Sequence, residues 1–112
     1  MGWYRSPSPY FLTTIVMIEI VKRKIDTKIY RIVWNDDLSF NKKAKLIHKF
    51  LSKYENMYWW EGLSFNTPNI YQVNNMIYSC MQKKEAERHT AFDKYSYDIA
   101  NIIVDKQIDK WL

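Results

Sequence analysis

Few side chains in this sequence are of a kind that does chemistry, and they stand far apart. There are two histidines, His48 and His89, and one cysteine, Cys80. A Cys/His metal site needs several ligands at short spacings, and no such spacing occurs. The row worth weighing is Glu85, His89 and Asp93, which on a helix recur at i, i+4 and i+8. Donors in one such row can hold a metal when a second element closes the site. A solvated, salt-bridged helix face explains the same row more simply, and no metal or other cofactor is expected. His48 sits among lysines and reads as a surface residue. Too few partners exist for a Ser/His/Asp or Cys/His constellation. Gly2 and Gly62 stand alone, so there is no glycine-rich phosphate loop.

Asp26-Thr27-Lys28, with Glu19 upstream, resembles the acid-x-Lys arrangement of metal-dependent nucleases. There, two carboxylates hold Mg²⁺ and the lysine activates water or steadies the charged transition state. On a strand Asp26 and Lys28 would share a face, as that chemistry requires. Three residues in a lysine-rich chain are weak grounds, and a plain turn explains them better. An enzyme is therefore the third-ranked reading, and the chain is expected to be non-catalytic.

Binding is better supported than catalysis. Seventeen lysines and arginines against twelve acids give a net charge of +5, which points to acidic partners. The basic side chains fall into two groups. Lys22, Arg23, Lys24, Lys28 and Arg31 lie in the first third of the chain. Lys42, Lys43, Lys45, Lys49 and Lys53 follow at helical spacing. Side by side, the groups would neutralise several phosphates, with strongly salt-dependent affinity. Tyr58, Trp59 and Trp60 are suited to stacking on bases or anchoring a protein partner. At least one of the two tryptophans is expected in the core. A lysine row is also what the wet face of any amphipathic helix carries.

The elements that must position these residues centre on SFNKKAKLIHKFLSKYENMYWW, residues 39–60. Ser39 is a helix cap. Phe40, Ala44, Ile47, Leu51 and Tyr54 form an apolar stripe, with the lysines on another face. Upstream, Leu12–Val21 and Ile29–Trp34 are rich in β-branched residues, which favours a hairpin turning at Asp26-Thr27. That hairpin puts Thr14, Val16, Ile18 and Ile20 on one face. Ile15, Ile18, Ile25, Ile29 and Ile32 also fit helical spacing, and the turn lacks glycine. A third strand is placed at 57–65, because a lone hairpin is marginal in water.

Downstream, Thr67-Pro68 signals a helix whose buried stripe is Ile70, Val73, Ile77 and Cys80 or Met81. Pairing this helix with the one before it as a helix-turn-helix leaves a connector of about eight residues, long for that motif. The apolar face lapses around 83–90. Thr90 with Asp93 resembles a capping box for a last helix striped by Phe92, Tyr95, Ile99 and Ile102, then Val104, Ile108 and Trp111. Residues 1–10 read as an extended leader, because two Ser-Pro pairs favour extended backbone.

The expected fold is thus a single α+β domain over 1–112: an N-terminal hairpin with about three helices. The lone cysteine suits a reducing, cytoplasmic setting, and no apolar run is long enough to span a membrane. Abundant Lys, Ile, Asn and Tyr suit an A/T-rich coding sequence of phage or mobile-element type. The expected function is a non-catalytic binding protein whose basic face meets an acidic macromolecular surface, with nucleic acid slightly favoured. The rival is a protein-binding inhibitor or adaptor acting through the aromatic cluster or a sheet edge. The acidic last helix leaves a homodimer open.

Overall fold

A computed structural model describes the backbone of residues 9–57, 59–84 and 90–111, and the side chains of 13–57, 59–84 and 91–106. Among these residues the regular structure is helical: α1 (Pro9–Val33), α2 (Phe40–Glu55), a 3-10 turn (Trp59–Glu61), α3 (Ile70–Gln82) and α4 (Thr90–Trp111). The α+β expectation is overturned, for residues 12–33 lie within one continuous helix and 59–65 supply no third strand. The reason lies in which apolar residues find a partner. Ile18, Ile25, Ile29 and Val33 share one face of α1 and are buried, while Val16 and Ile20, which a hairpin would place beside Ile18, stay exposed. Each buried aliphatic side chain contributes about 1.5–3 kcal/mol. The reluctance of a β-branched residue to join a helix is at most about 0.7 kcal/mol. Burial wins. The Asp26-Thr27 pair lies inside the helix, where the Thr27 hydroxyl donates to the Arg23 carbonyl at 2.8 Å. Pro9 and Tyr10 are already helical, so the leader does not extend to residue 10. Residues 1–8 lie outside the described set.

Local signals set the next two helices. Ser39 caps α2, its hydroxyl accepting from the Lys42 amide at 3.3 Å. α3 is capped by Asn69 and not by Thr67. The Asn69 side chain accepts from the Gln72 amide at 2.8 Å, and Gln72 Oε1 accepts from the Asn69 amide at 2.9 Å. This reciprocal box satisfies two otherwise free donors. Pro68 therefore precedes the helix and does not open it. α3 ends at Gln82 and α4 begins at Thr90, either side of the lapse in apolar pattern.

α1 packs chiefly on α4 and α2 on α3, with lighter α3–α4 and α1–α2 contacts. Phe40 at the start of α2 stacks on Tyr78 near the end of α3, ring centroids 4.5 Å apart, so these helices run antiparallel. Val33, Ile47, Leu51, Val73, Ile77, Ile99 and Val104 are buried in the shared core, with Phe92 and Cys80 beside them. The body is a slab of 58 × 34 × 19 Å. At 19 Å it is about two helix diameters thick, which leaves long, shallow seams between helices. No helix among the described residues is long and apolar enough to cross a membrane.

Candidate functional site

The seam between α1 and α2 is a groove. Its first section, about 420 Å³, is lined by Lys24, Thr27, Lys28, Arg31 and Ile32 of α1, by Asn35 and Leu38 of the connecting loop, and by Leu46 of α2. A second section, about 280 Å³, continues along the same helices. It shares Lys24 and Lys28 with the first and adds Val21, Ile25, Phe50, Tyr54 and Ile103 of α4. The sharing marks one trough that Lys28 straddles, its ammonium 4.7 Å from the centre of the Phe50 ring. The floor is apolar and the α1 rim is cationic.

Helical geometry decides which cations reach this rim. Lys24, Lys28 and Arg31 recur at four and three residues, on one side of α1. Lys22 points the other way, into the α1–α4 seam, where its ammonium lies 2.5 Å from Asp93. That hydrogen bond, above all, raises the Lys22 pKa above its ordinary 10.5. Burial opposes it, and the charges of Asp93, Asp26 and Glu19 add to it. Lys22 is therefore neutralised by its own fold, and Arg23 turns outward away from the groove. On α2, Lys42, Lys49 and Lys53 are exposed and flank groove-lining Leu46 at helical spacing, whereas Lys45 is turned about 100° from Leu46. Lys43 is buried, its ammonium 5.4 Å from the Phe40 ring centre. Among the described residues, none of Lys24, Lys28, Arg31, Lys42, Lys45, Lys49 and Lys53 has a carboxylate within ion-pair distance.

The aromatic cluster lies past the far end of α2. Both tryptophans are exposed, Trp59 at 66 % and Trp60 at 62 %, so the expectation that one is core fails. They ride a three-residue turn closed by Gly62, whose φ of +74° is glycine territory, and Phe50, Leu51 and Phe65 are buried without them. The indoles meet edge to face, centroids 6.2 Å apart. Trp60 Nε1 donates to Glu61 Oε1 at 3.1 Å, and Glu61 in turn pairs with Lys106 of α4. The hydrogen bond from Lys106 holds the exposed Glu61 carboxyl below its usual pKa. The turn follows Tyr54, which lines the groove, by five residues, the Trp59 amide donating to the Asn56 carbonyl at 3.4 Å, while Gly62 beyond it lines a different cleft on α4. Tyr58 lies outside the described residues.

The nuclease-like arrangement does not survive. On a helix Asp26 and Lys28 are about 200° apart, and Lys28 leans on Phe50 while Asp26 faces the Lys22 side. Of the Glu85/His89/Asp93 row, the first two lie outside the described residues and Asp93 is engaged by Lys22. A third cleft, about 440 Å³, runs between segment 62–66 and α4. Its lining carries Asp98 and Asp105 beside Lys94, so it offers an anion no single favourable sign. The groove floor, Ile32, Leu38, Leu46 and Phe50, was not foreseen. Leu46 and Phe50 sit one position outside the apolar stripe of α2, which was the available signal.

Among the described residues, fold and site together define a small helical bundle with a cationic groove whose Lys24, Lys28 and Arg31 meet no carboxylate. Neither protein-family models, nor curated proteins, nor solved structures match the chain.

Proposed function

We propose that this chain is a non-catalytic binding protein that uses the α1–α2 groove against an acidic macromolecule, nucleic acid first. One observation carries this reading: Lys24, Lys28 and Arg31 converge on a single trough without any carboxylate partner among the described residues. Unpaired cations gathered in a groove favour a polyanion, because each phosphate bound releases condensed counterions. The test is binding of a labelled oligonucleotide at rising salt. Three to five contacts, from the three α1 cations with or without Lys49 and Lys53, give a slope of about −2 to −3.5. Affinity then falls roughly 20- to 100-fold between about 50 and about 200 mM salt. Lys24→Glu with Lys28→Glu should remove most of the binding. A flat salt response, or full affinity in that double variant, would refute the proposal.

A second reading is an inhibitor or adaptor that binds protein. The exposed Trp59–Trp60 pair favours it, since anchored indoles are frequent hot spots. Loss of a captured protein in Trp59→Ala/Trp60→Ala, with the charge swaps silent, would select it.

A further inference from the structure

We infer that the groove's ligand is single-stranded nucleic acid, its backbone on the α1 rim and its bases on the apolar floor and the tryptophan turn. The inference rests on the nucleic-acid reading above and deepens it. A duplex shows its partner phosphates and groove edges, and its base faces are stacked away. Such a ligand has nothing to place against Ile32, Leu38, Leu46 and Phe50. A single strand has free base faces, and stacking on an exposed indole tolerates any base.

The tryptophan turn is prepared for this. Trp60 is tied to Glu61 and Glu61 to Lys106, so little ordering remains to be done on binding. Because the indoles stand at 84°, they present faces in different directions and cannot extend one continuous stack. Each takes a separate base, which requires a strand flexible enough to turn between them. The groove from Arg31 to Val21 is about 15 Å long, room for a few nucleotides before the tryptophans. An acidic protein segment could satisfy the rim. It would not owe its affinity to nucleobases, and that separates the cases.

The experiment measures fluorescence anisotropy of three labelled probes at low salt. These are a mixed-sequence single strand of about twelve nucleotides, the same strand annealed to its complement, and an abasic strand of equal charge. The single strand is expected to bind at least about tenfold tighter than either of the others. Trp59→Ala/Trp60→Ala should weaken the single strand by about ten- to a hundredfold and leave the abasic strand unchanged. Both side chains are exposed, and an unchanged helical circular dichroism spectrum confirms that the variant is folded. Equal, salt-sensitive affinity for all three probes, indifferent to the tryptophans, would overturn the single-strand inference and leave the cationic groove standing. Binding of none of them would overturn both.

Discussion

Ile18 and Ile20 are two residues apart, so a strand puts them on one face and a helix turns them about 200° from each other. Alanine at each position therefore tests the largest departure of this fold from its sequence pattern. Ile18 is 7 % exposed and packs in the α1 row with Ile25 and Ile29, while Ile20 is 49 % exposed. Ile→Ala removes three carbons, about 2.4 kcal/mol of transfer free energy at about 0.8 per methylene. At Ile18 the cavity left behind adds to this and alanine's better helix propensity takes back a few tenths, for a total of about 2–4 kcal/mol. At Ile20 half of that surface is already wet. Alanine also regains a few tenths of a kcal/mol in helix propensity, so the net cost should stay below about 1 kcal/mol. Thermal unfolding followed by circular dichroism should lower the Tm by roughly 10–20 °C for Ile18→Ala and by under about 5 °C for Ile20→Ala, at about 5 °C per kcal/mol for a chain of this size. Two variants that lose stability within about 0.5 kcal/mol of each other would mean the residues share a buried face. The helical account of α1, and the groove built on it, would then fail.

Two further outcomes follow from single contacts. Asn69→Ala removes one half of the reciprocal cap on α3 and should cost about 1 kcal/mol in urea unfolding, whereas Thr67→Ala should cost clearly less. The Lys22–Asp93 pair holds the lysine pKa above 10.5 in the folded state. Its contribution is therefore complete below pH 10.5 and disappears as pH climbs through the raised value. With Asp93 half exposed, the pair is worth at most about 1 kcal/mol. The stability gap between wild type and Asp93→Asn should accordingly hold from neutral pH to about 10 and close above it. A gap that widened in alkali would contradict the assignment.

What the residues determined unaided was local. Ser39 and the apolar period behind it make α2 a helix, and its exposed lysines follow from the same repeat, because cap and period both act within about one turn. Val73, Ile77 and Cys80 were legible as the inner face of α3 for the same reason, but Ile70, placed on that stripe with them, is exposed. α1 was not, since its isoleucines fit both a strand and a helix period. The choice fell to whichever face found a partner, and α4, far along the chain, provided it. Tertiary packing also sorted the cations. It turned Lys22 onto Asp93, sank Lys43 against Phe40, and left Lys24, Lys28 and Arg31 on an open groove. It put both tryptophans outside, where at least one was expected in the core. A helical repeat says which side chains share a face. Only the neighbouring helices decide whether that face is covered, neutralised or free to bind.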